Sequence, residues 1–166
     1  MSSVPSSRIG LARRTLSSAS RKRVIAAPVE EVWKVIADPH QMPRWWPRIE
    51  RMEGVQGDRF TQVFKSKRQR TVRADFRLRA SKPPEGRNTS GRRTWEQELA
   101  GTPFERVLVE SITEIAVEPV DGGGTLVTLG QRQKLRGYAK TGVWAMRSAT
   151  AKRLDQALDG LARILA

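Results

Sequence analysis

The sequence predicts an α+β protein in which an antiparallel β-sheet packs against one long C-terminal helix. Two observations predict this fold class. Between residues 49 and 135, stretches with strand-like alternation are separated by turns and loops rich in glycine and proline. From about residue 140 to residue 165, the apolar residues instead recur at steps of three or four, which is typical of an amphipathic helix. Since the strands follow one another and the long helix comes after them, we expect the helix to be segregated on one face of the sheet.

The composition favours one globular domain and excludes several kinds of site. The 166 residues are 38% apolar and 29% charged, which suits a single core, and we place this domain in residues 21–166. With no cysteine and one histidine, the chain has no disulfide, thiolate site or multi-histidine metal site. We therefore expect no metal and no cofactor. The chain has no run of roughly 18–20 apolar residues, and its N-terminus has no apolar core of about 7–15 residues. We therefore expect no secretory signal and a cytoplasmic location.

The net charge of +14 is concentrated in two parts of the chain. Residues 1–23 hold six basic and no acidic residues, and residues 63–95 hold eleven basic and two acidic residues. Such patches attract nucleic acid or anionic membrane surfaces by long-range electrostatics, so a weak contact of this kind is one hypothesis. The alternative is a solvated sheet face, on which Arg73, Arg77 and Arg79 would form cross-strand pairs with Glu96 and Glu98.

The N-terminal part of the chain is predicted to be a tail, a strand and a helix. Residues 1–20 have little apolar periodicity, and we expect them to be a disordered basic tail. A short strand is predicted over Arg21–Ala26. Pro28 then suits the first turn of a helix over Val29–Ala37, which ends at Asp38-Pro39.

Two adjacent tryptophans follow this helix, in a segment that we call the tryptophan elbow, residues 42–47. Pro43 and Pro47 flank Trp45 and Trp46, so neither a long helix nor a central strand can pass through the segment. A second short helix over His40–Trp45 is compatible with this pattern. We expect one ring to be buried and the other to lie at the rim of a pocket.

Six further strands are predicted, which with the first strand make seven. Within them, Trp95 and Gln97 share one face with Val72, Ala74 and Phe76, and the arginines and glutamates take the other face. The predicted strands are Ile49–Val55, Arg59–Ser66, Thr71–Ser81, Arg92–Leu99, Val107–Glu118 and Thr125–Leu135.

The order of elements resembles the START-like, Bet v 1-like superfamily, also called SRPBCC, which includes polyketide cyclase/dehydrase-like proteins. Residues 24–39 are similar to its opening strand and its "AP-x-E-x-VW-x-x-I-x-D" helix, and residues 42–47 to its tryptophan-bearing segment. Residues 123–129 and the terminal helix are similar to its closing elements. The resemblance implies a helix-grip fold: a curved seven-stranded antiparallel sheet around the long C-terminal helix, with one or two short helices after the first strand. It also implies an elongated cavity between sheet and helix.

We therefore expect binding or transport of a hydrophobic small molecule, such as a lipid, polyketide or aromatic compound. Alanines beside aromatics on the inward strand faces, with a few amides and hydroxyls, suit an apolar pocket with sparse polar anchors. A filled core, in which the polar groups satisfy one another, is the alternative. The predicted ligand-binding residues are Trp45, Trp46, Phe76, Trp95, Gln97, Val109, Ser111, Val127, Gln131, Tyr138, Val143 and Met146.

A cyclase or dehydrase enzyme is a further hypothesis, because such chemistry needs an acid or base that reaches an inward substrate. The inward polar candidates are Gln97, Ser111, Thr113, Gln131 and Arg93. None has an inward carboxylate beside it, because Asp75 and Glu96 point outward in the predicted alternation. His40 lies in a loop, where a histidine most often caps the surface. The sequence therefore assigns no catalytic residue.

Overall fold

The protein is an antiparallel sheet of seven strands with helices on one face. The computed structural model describes residues 16–86, 88–137 and 140–166. The strands follow the spatial order β1-β7-β6-β5-β4-β3-β2. The strands are β1 (Leu16–Ile25), β2 (Ile49–Gln56), β3 (Arg59–Lys65), β4 (Thr71–Lys82), β5 (Gly91–Glu98), β6 (Leu108–Pro119) and β7 (Thr125–Leu135). The helices are α1 (Val29–Ile36), α2 (Met42–Trp45) and α3 (Lys140–Ile164), with 3-10 helices over Pro39–Gln41 and Pro103–Arg106. The predicted fold class is confirmed.

Local signals explain where the elements begin and end. Pro28 sits at the N-cap position of α1 in an extended conformation, and Asp38 caps the following 3-10 helix by accepting a hydrogen bond from the His40 backbone N at 3.0 Å. The β6–β7 hairpin turns through Gly122 and Gly123, whose φ angles of 91° and 84° strongly favour glycine. The second short helix predicted over His40–Trp45 is present as two consecutive segments, the 3-10 helix Pro39–Gln41 and α2.

Strand β1 begins five residues earlier than predicted, at Leu16 rather than Arg21. It pairs with β7 along its whole length, from Leu16 opposite Lys134 to Ile25 opposite Thr125. The prediction that residues 16–20 belong to a disordered tail is wrong, because the edge of β7 supplies hydrogen-bond partners that composition does not reveal. Residues 1–15 lie outside the described residues.

The core lies between the inner face of the sheet and α3. The C-terminal half of α3 fills this space with Leu154, Leu158 and Leu161, which are almost fully buried against strand residues such as Ile115 and Leu129. A smaller cluster surrounds the start of the helix, where Val143 packs with apolar residues from the ends of β5, β6 and β7. Helix α3 also packs against β1 and α2, so the elbow is held against the long helix.

The outer face of the sheet carries the predicted cross-strand ion pairs. Arg77 Nε lies 3.4 Å from Glu98 Oε1, and Arg79 pairs with Glu96. Arg73 pairs instead with Glu53 of β2, at 3.2 Å. Four of the eleven basic residues of the middle segment, namely Arg73, Arg77, Arg79 and Arg92, are paired in this way among the described residues. Each exposed pair contributes roughly 0.2–1 kcal/mol. No helix in the described ranges is long and apolar enough to cross a membrane.

Candidate ligand-binding cavity

The two tryptophans of the elbow contact different parts of the protein. The ring centroids of Trp45 and Trp46 lie 5.5 Å apart with the planes at 78°, an edge-to-face contact. Trp46 also meets Trp95 of β5 edge-on, at 6.3 Å and 69°. Both rings are buried, with 2% of Trp45 and 7% of Trp46 exposed, so the expectation that one ring lies at an exposed rim is wrong. Of the two, Trp46 alone lines the cavity between the sheet and α3, whereas the Trp45 backbone lies against Gly160 of α3.

A cavity of about 220 Å³ lies between the sheet and the N-terminal half of α3. Aromatic rings make up a third of its lining, and one of them, Phe76, stacks on Phe60 with a centroid distance of 5.4 Å. Its polar groups are four glutamines, one threonine and one arginine. The lining consists of Trp46, Gln62, Phe64, Ala74, Phe76, Trp95, Gln97, Phe104, Val107, Leu108, Thr113, Gln131, Gln133, Met146 and Arg153.

The amide groups of the cavity are only partly used by the protein. Gln131 Nε2 donates to Thr113 Oγ1 at 3.0 Å, and Thr150 Oγ1 donates to Gln133 Oε1 at 3.3 Å. The other end of the Gln131 amide, Oε1, is buried and finds no hydrogen-bond partner among the described residues. A buried polar atom without a partner costs about 1–3 kcal/mol. The cavity therefore retains hydrogen-bonding capacity for a bound molecule.

Arg153 brings a positive charge from α3 to the cavity. It follows Met146 by seven residues, so both side chains lie on the same face of the helix. Burial lowers the pKa of the Arg153 guanidinium, and the positive charge of Arg48 lowers it further. Both effects disfavour the charged form. Neither Asp nor Glu is among the described residues that line the cavity, so no carboxylate there offsets these effects.

Arg93 is the second largely buried arginine, and its surroundings are different. Its Nη1 donates to Ser81 Oγ at 3.2 Å. Burial lowers the pKa of Arg93, but the nearby negative charge of Asp38 opposes that effect. Arg93 points inward as predicted, since only 9% of the residue is exposed, but it does not line the cavity.

Six of the twelve predicted ligand-binding residues come together around the cavity: Trp46, Phe76, Trp95, Gln97, Gln131 and Met146. Four others, namely Trp45, Ser111, Val127 and Val143, are buried but do not line it. Tyr138 lies outside the described residues.

Val109 points away from the cavity, so its predicted inward orientation is wrong. The residue is 46% exposed. The register of β6 against β7 shifts between Leu108 and Glu110, which marks a β-bulge. The extra residue reverses the alternation, so Leu108 lines the cavity although it is one position out of phase with Ser111 and Thr113.

Sequence reasoning missed several lining residues, and some of them carried a usable signal. Gln133 continues the alternation of β7 two residues beyond Gln131. Gln62 and Phe64 alternate on β3, but Val63 between them is also fully buried, which obscures the pattern. Phe104 comes from a 3-10 helix in a segment that the sequence marks only as a break between strands.

The fold and the cavity together define a helix-grip protein, in which an antiparallel sheet and a long helix enclose a cavity. The chain belongs to the family described as polyketide cyclase / dehydrase and lipid transport, whose model matches residues 17–166. The resemblance seen in the first strand, the first helix and the elbow is thereby confirmed. No curated protein sequence matches the chain significantly.

Several solved structures share the fold. The di-domain aromatase/cyclase BexL from the BE-7585A biosynthetic pathway has a TM-score of 0.68 and 21% identity over 88% of this chain, which spans 45% of the length of that protein. A START superfamily protein from Mycobacterium smegmatis gives 0.67 and 14% identity, covering 90% of this chain and 99% of the other. The Zhui aromatase/cyclase from Streptomyces sp. R1128 gives 0.69 and 13%, covering 90% and 93%. At these identities the similarity establishes the fold alone.

Proposed function

We propose that this protein binds a small hydrophobic molecule in the cavity between the sheet and α3. The observation that carries the proposal is the lining itself, in which five aromatic rings surround a space that side chains leave unfilled. Apolar pockets with a few placed polar groups are the usual form of small-molecule sites. Membership of a family whose description includes lipid transport supports the same function.

The size of the cavity limits the ligand. Its volume of about 220 Å³ exceeds the roughly 150 Å³ of an engineered cavity that binds benzene. It is smaller than the roughly 300–1,000 Å³ of pockets that hold drug-sized ligands. A compact ligand with one or two rings, or a short alkyl chain, fits this space without rearrangement of the core.

Filling the cavity from the sheet side tests the proposal. Ala74 on β4 is buried and lines the cavity, so Ala74→Leu inserts a larger side chain into the space. Ala80 is exposed near the end of the same strand, so Ala80→Leu is a matched control. Isothermal calorimetry with a panel of compact aromatic and aliphatic compounds should show binding to the wild type and to Ala80→Leu. Ala74→Leu should no longer bind the ligand, and circular dichroism should show that this variant is folded. Equal binding by the two variants would show that the ligand binds elsewhere.

A second candidate is a cyclase- or dehydrase-type enzyme that uses the same cavity. The presence of Arg153 at the cavity favours it, because a guanidinium stabilises the enolate charge that develops in ring closure. The lining amides and hydroxyl can orient a polyketone, but their own pKa values do not suit proton transfer near neutral pH. Incubation with short polyketide thioesters, followed by mass spectrometry, tests this candidate. An enzyme would yield products lighter by one water, whereas a binding protein returns the compound unchanged.

A further inference from the structure

We infer that the ligand of this cavity is an acid, whose carboxylate pairs with Arg153 while its apolar part contacts the aromatic rings. This inference rests on the proposed binding function and narrows it to a chemical class. Arg153 is the charged group of the described lining, and the remaining polar side chains are neutral amides and a hydroxyl. The cavity therefore combines an apolar wall with one positive charge, which complements an amphipathic anion and not a neutral hydrocarbon.

The position of Arg153 on the helix directs its side chain to the cavity. Leu154, the next residue, is fully buried in the core, and Thr150, one turn earlier, is buried and bonded to Gln133. These two contacts fix the rotation of α3 about its axis. The face that carries Met146 and Arg153 is thereby presented to the space beside β7.

The surroundings of Arg153 leave its charge uncompensated within the protein. Among the described residues Arg153 forms no ion pair, and no carboxylate opposes the lowering of its pKa. Arg93, in contrast, has Ser81 as an acceptor and Asp38 as a nearby countercharge. Arg48 adds a second positive charge. A partly buried ion without a partner is unfavourable, and a bound carboxylate reduces that cost by bidentate hydrogen bonding.

The unused amide end of Gln131 offers a second contact point. Gln131 and Gln133 are two residues apart on β7, so their side chains lie on the same face of the strand. Gln133 accepts a hydrogen bond from Thr150, which lies in the turn of α3 that precedes Arg153. A ligand hydroxyl that reaches Gln131 would satisfy the buried Oε1. Hydroxy-substituted aromatic acids match both contacts and the size of the cavity.

Matched pairs of acids and amides test the inference. The probes are benzoate and benzamide, 2-naphthoate and 2-naphthamide, and decanoate and decanamide, which differ within each pair almost only in charge. Calorimetry at neutral pH measures each affinity for the full-length wild type and for Arg153→Gln and Arg153→Lys. Lys152→Gln is the control, since it removes the same charge from the adjacent exposed position of α3.

We expect at least one acid to bind roughly 10- to 150-fold more tightly than its amide, the range of a charge-assisted hydrogen bond. Arg153→Gln should abolish the preference for the acid and change amide affinity by no more than about twofold. Arg153→Lys should show part of the preference, and Lys152→Gln should show all of it. Equal affinity for acid and amide in the wild type, or the same loss in Lys152→Gln, would overturn the inference while the binding function stands. Absence of binding by every probe would overturn both.

Discussion

The backbone of Trp45 lies directly on Gly160 of α3. A Cβ at position 160 would be 2.8 Å from the Trp45 Cα, and it would overlap the Trp45 carbonyl oxygen. Side-chain carbon atoms do not approach backbone so closely, so a glycine is required at this point of the helix. The contact presses the elbow onto the helix, and Trp46 thereby reaches over the cavity to Trp95.

Gly160→Ala is expected to destabilise the protein, although alanine is the better helix former. Helix propensity alone would stabilise the variant by about 1 kcal/mol. The overlap with Trp45 must be relieved by moving the elbow or α3, which costs about 1–3 kcal/mol for an overpacked site. Chemical denaturation should therefore show a net loss of stability. An increase in stability would mean that the elbow and the helix are not in this close contact.

Substitutions of the two elbow tryptophans should have similar effects on stability but different effects on ligand affinity. Both rings are buried, so alanine at either position should cost about 3–5 kcal/mol. The conservative changes Trp45→Phe and Trp46→Phe keep an aromatic ring and should preserve the fold. Only Trp46 lines the cavity, so only Trp46→Phe should change ligand affinity in calorimetry. A change caused by Trp45→Phe alone would show that the elbow acts on the ligand through α3.

Most of the architecture was predictable because short-range patterns determine it. Alternation and turn residues placed β7 at Thr125–Leu135, which is its observed range, and most other strand ends to within one residue. Residues 16–20 were missed because their strand is determined by pairing with β7, which is distant in sequence. The orientation of Val109 was missed because a bulge inserts one residue without a local sequence signal.

The candidate site was only half predictable for a different reason. Hydrophobic patterning identifies inward positions, but it does not show which of them border an unfilled space. Val127 and Gln131 both point inward from β7, yet Val127 is enclosed by the filled core and Gln131 lines the cavity. Arg153 was assigned to no site because a charged residue usually marks the solvent face of a helix.

Glu53 should make the stability of the sheet edge depend on pH. Hydrogen bonds from Arg73, at 3.2 Å, and from Arg51, at 2.9 Å, lower the pKa of this carboxyl below its usual value of 4.5. A carboxylate whose pKa is lower in the folded state stabilises that state at higher pH, and the effect is lost as the pH falls through the folded value. Glu53→Gln should thus be less stable than the wild type at pH 7, in urea denaturation. The difference should shrink below about pH 4.5.

Glu118→Gln is the control for Glu53. Glu118 is an exposed strand residue that forms no ion pair with the described residues, so its substitution should not alter the pH dependence. Added salt should also reduce the effect of Glu53→Gln at pH 7, since the pairs are at the surface. A difference between Glu53→Gln and wild type that stays constant from pH 7 to pH 3 would show that the ionised carboxylate is not the cause.

Arg153→Met should make the ligand-free protein more stable. Methionine retains the apolar stem of the side chain but removes a guanidinium whose charged form is disfavoured by burial and by Arg48. A gain of about 1 kcal/mol would raise the Tm by roughly 2–4 °C in a domain of this size. Differential scanning calorimetry measures it, with Lys152→Met as the exposed control on the same helix. A large fall in Tm for Arg153→Met alone would assign the guanidinium a structural role. A rise in Tm together with weaker binding of acids would show that Arg153 lowers the stability of the free protein and increases its affinity for the ligand.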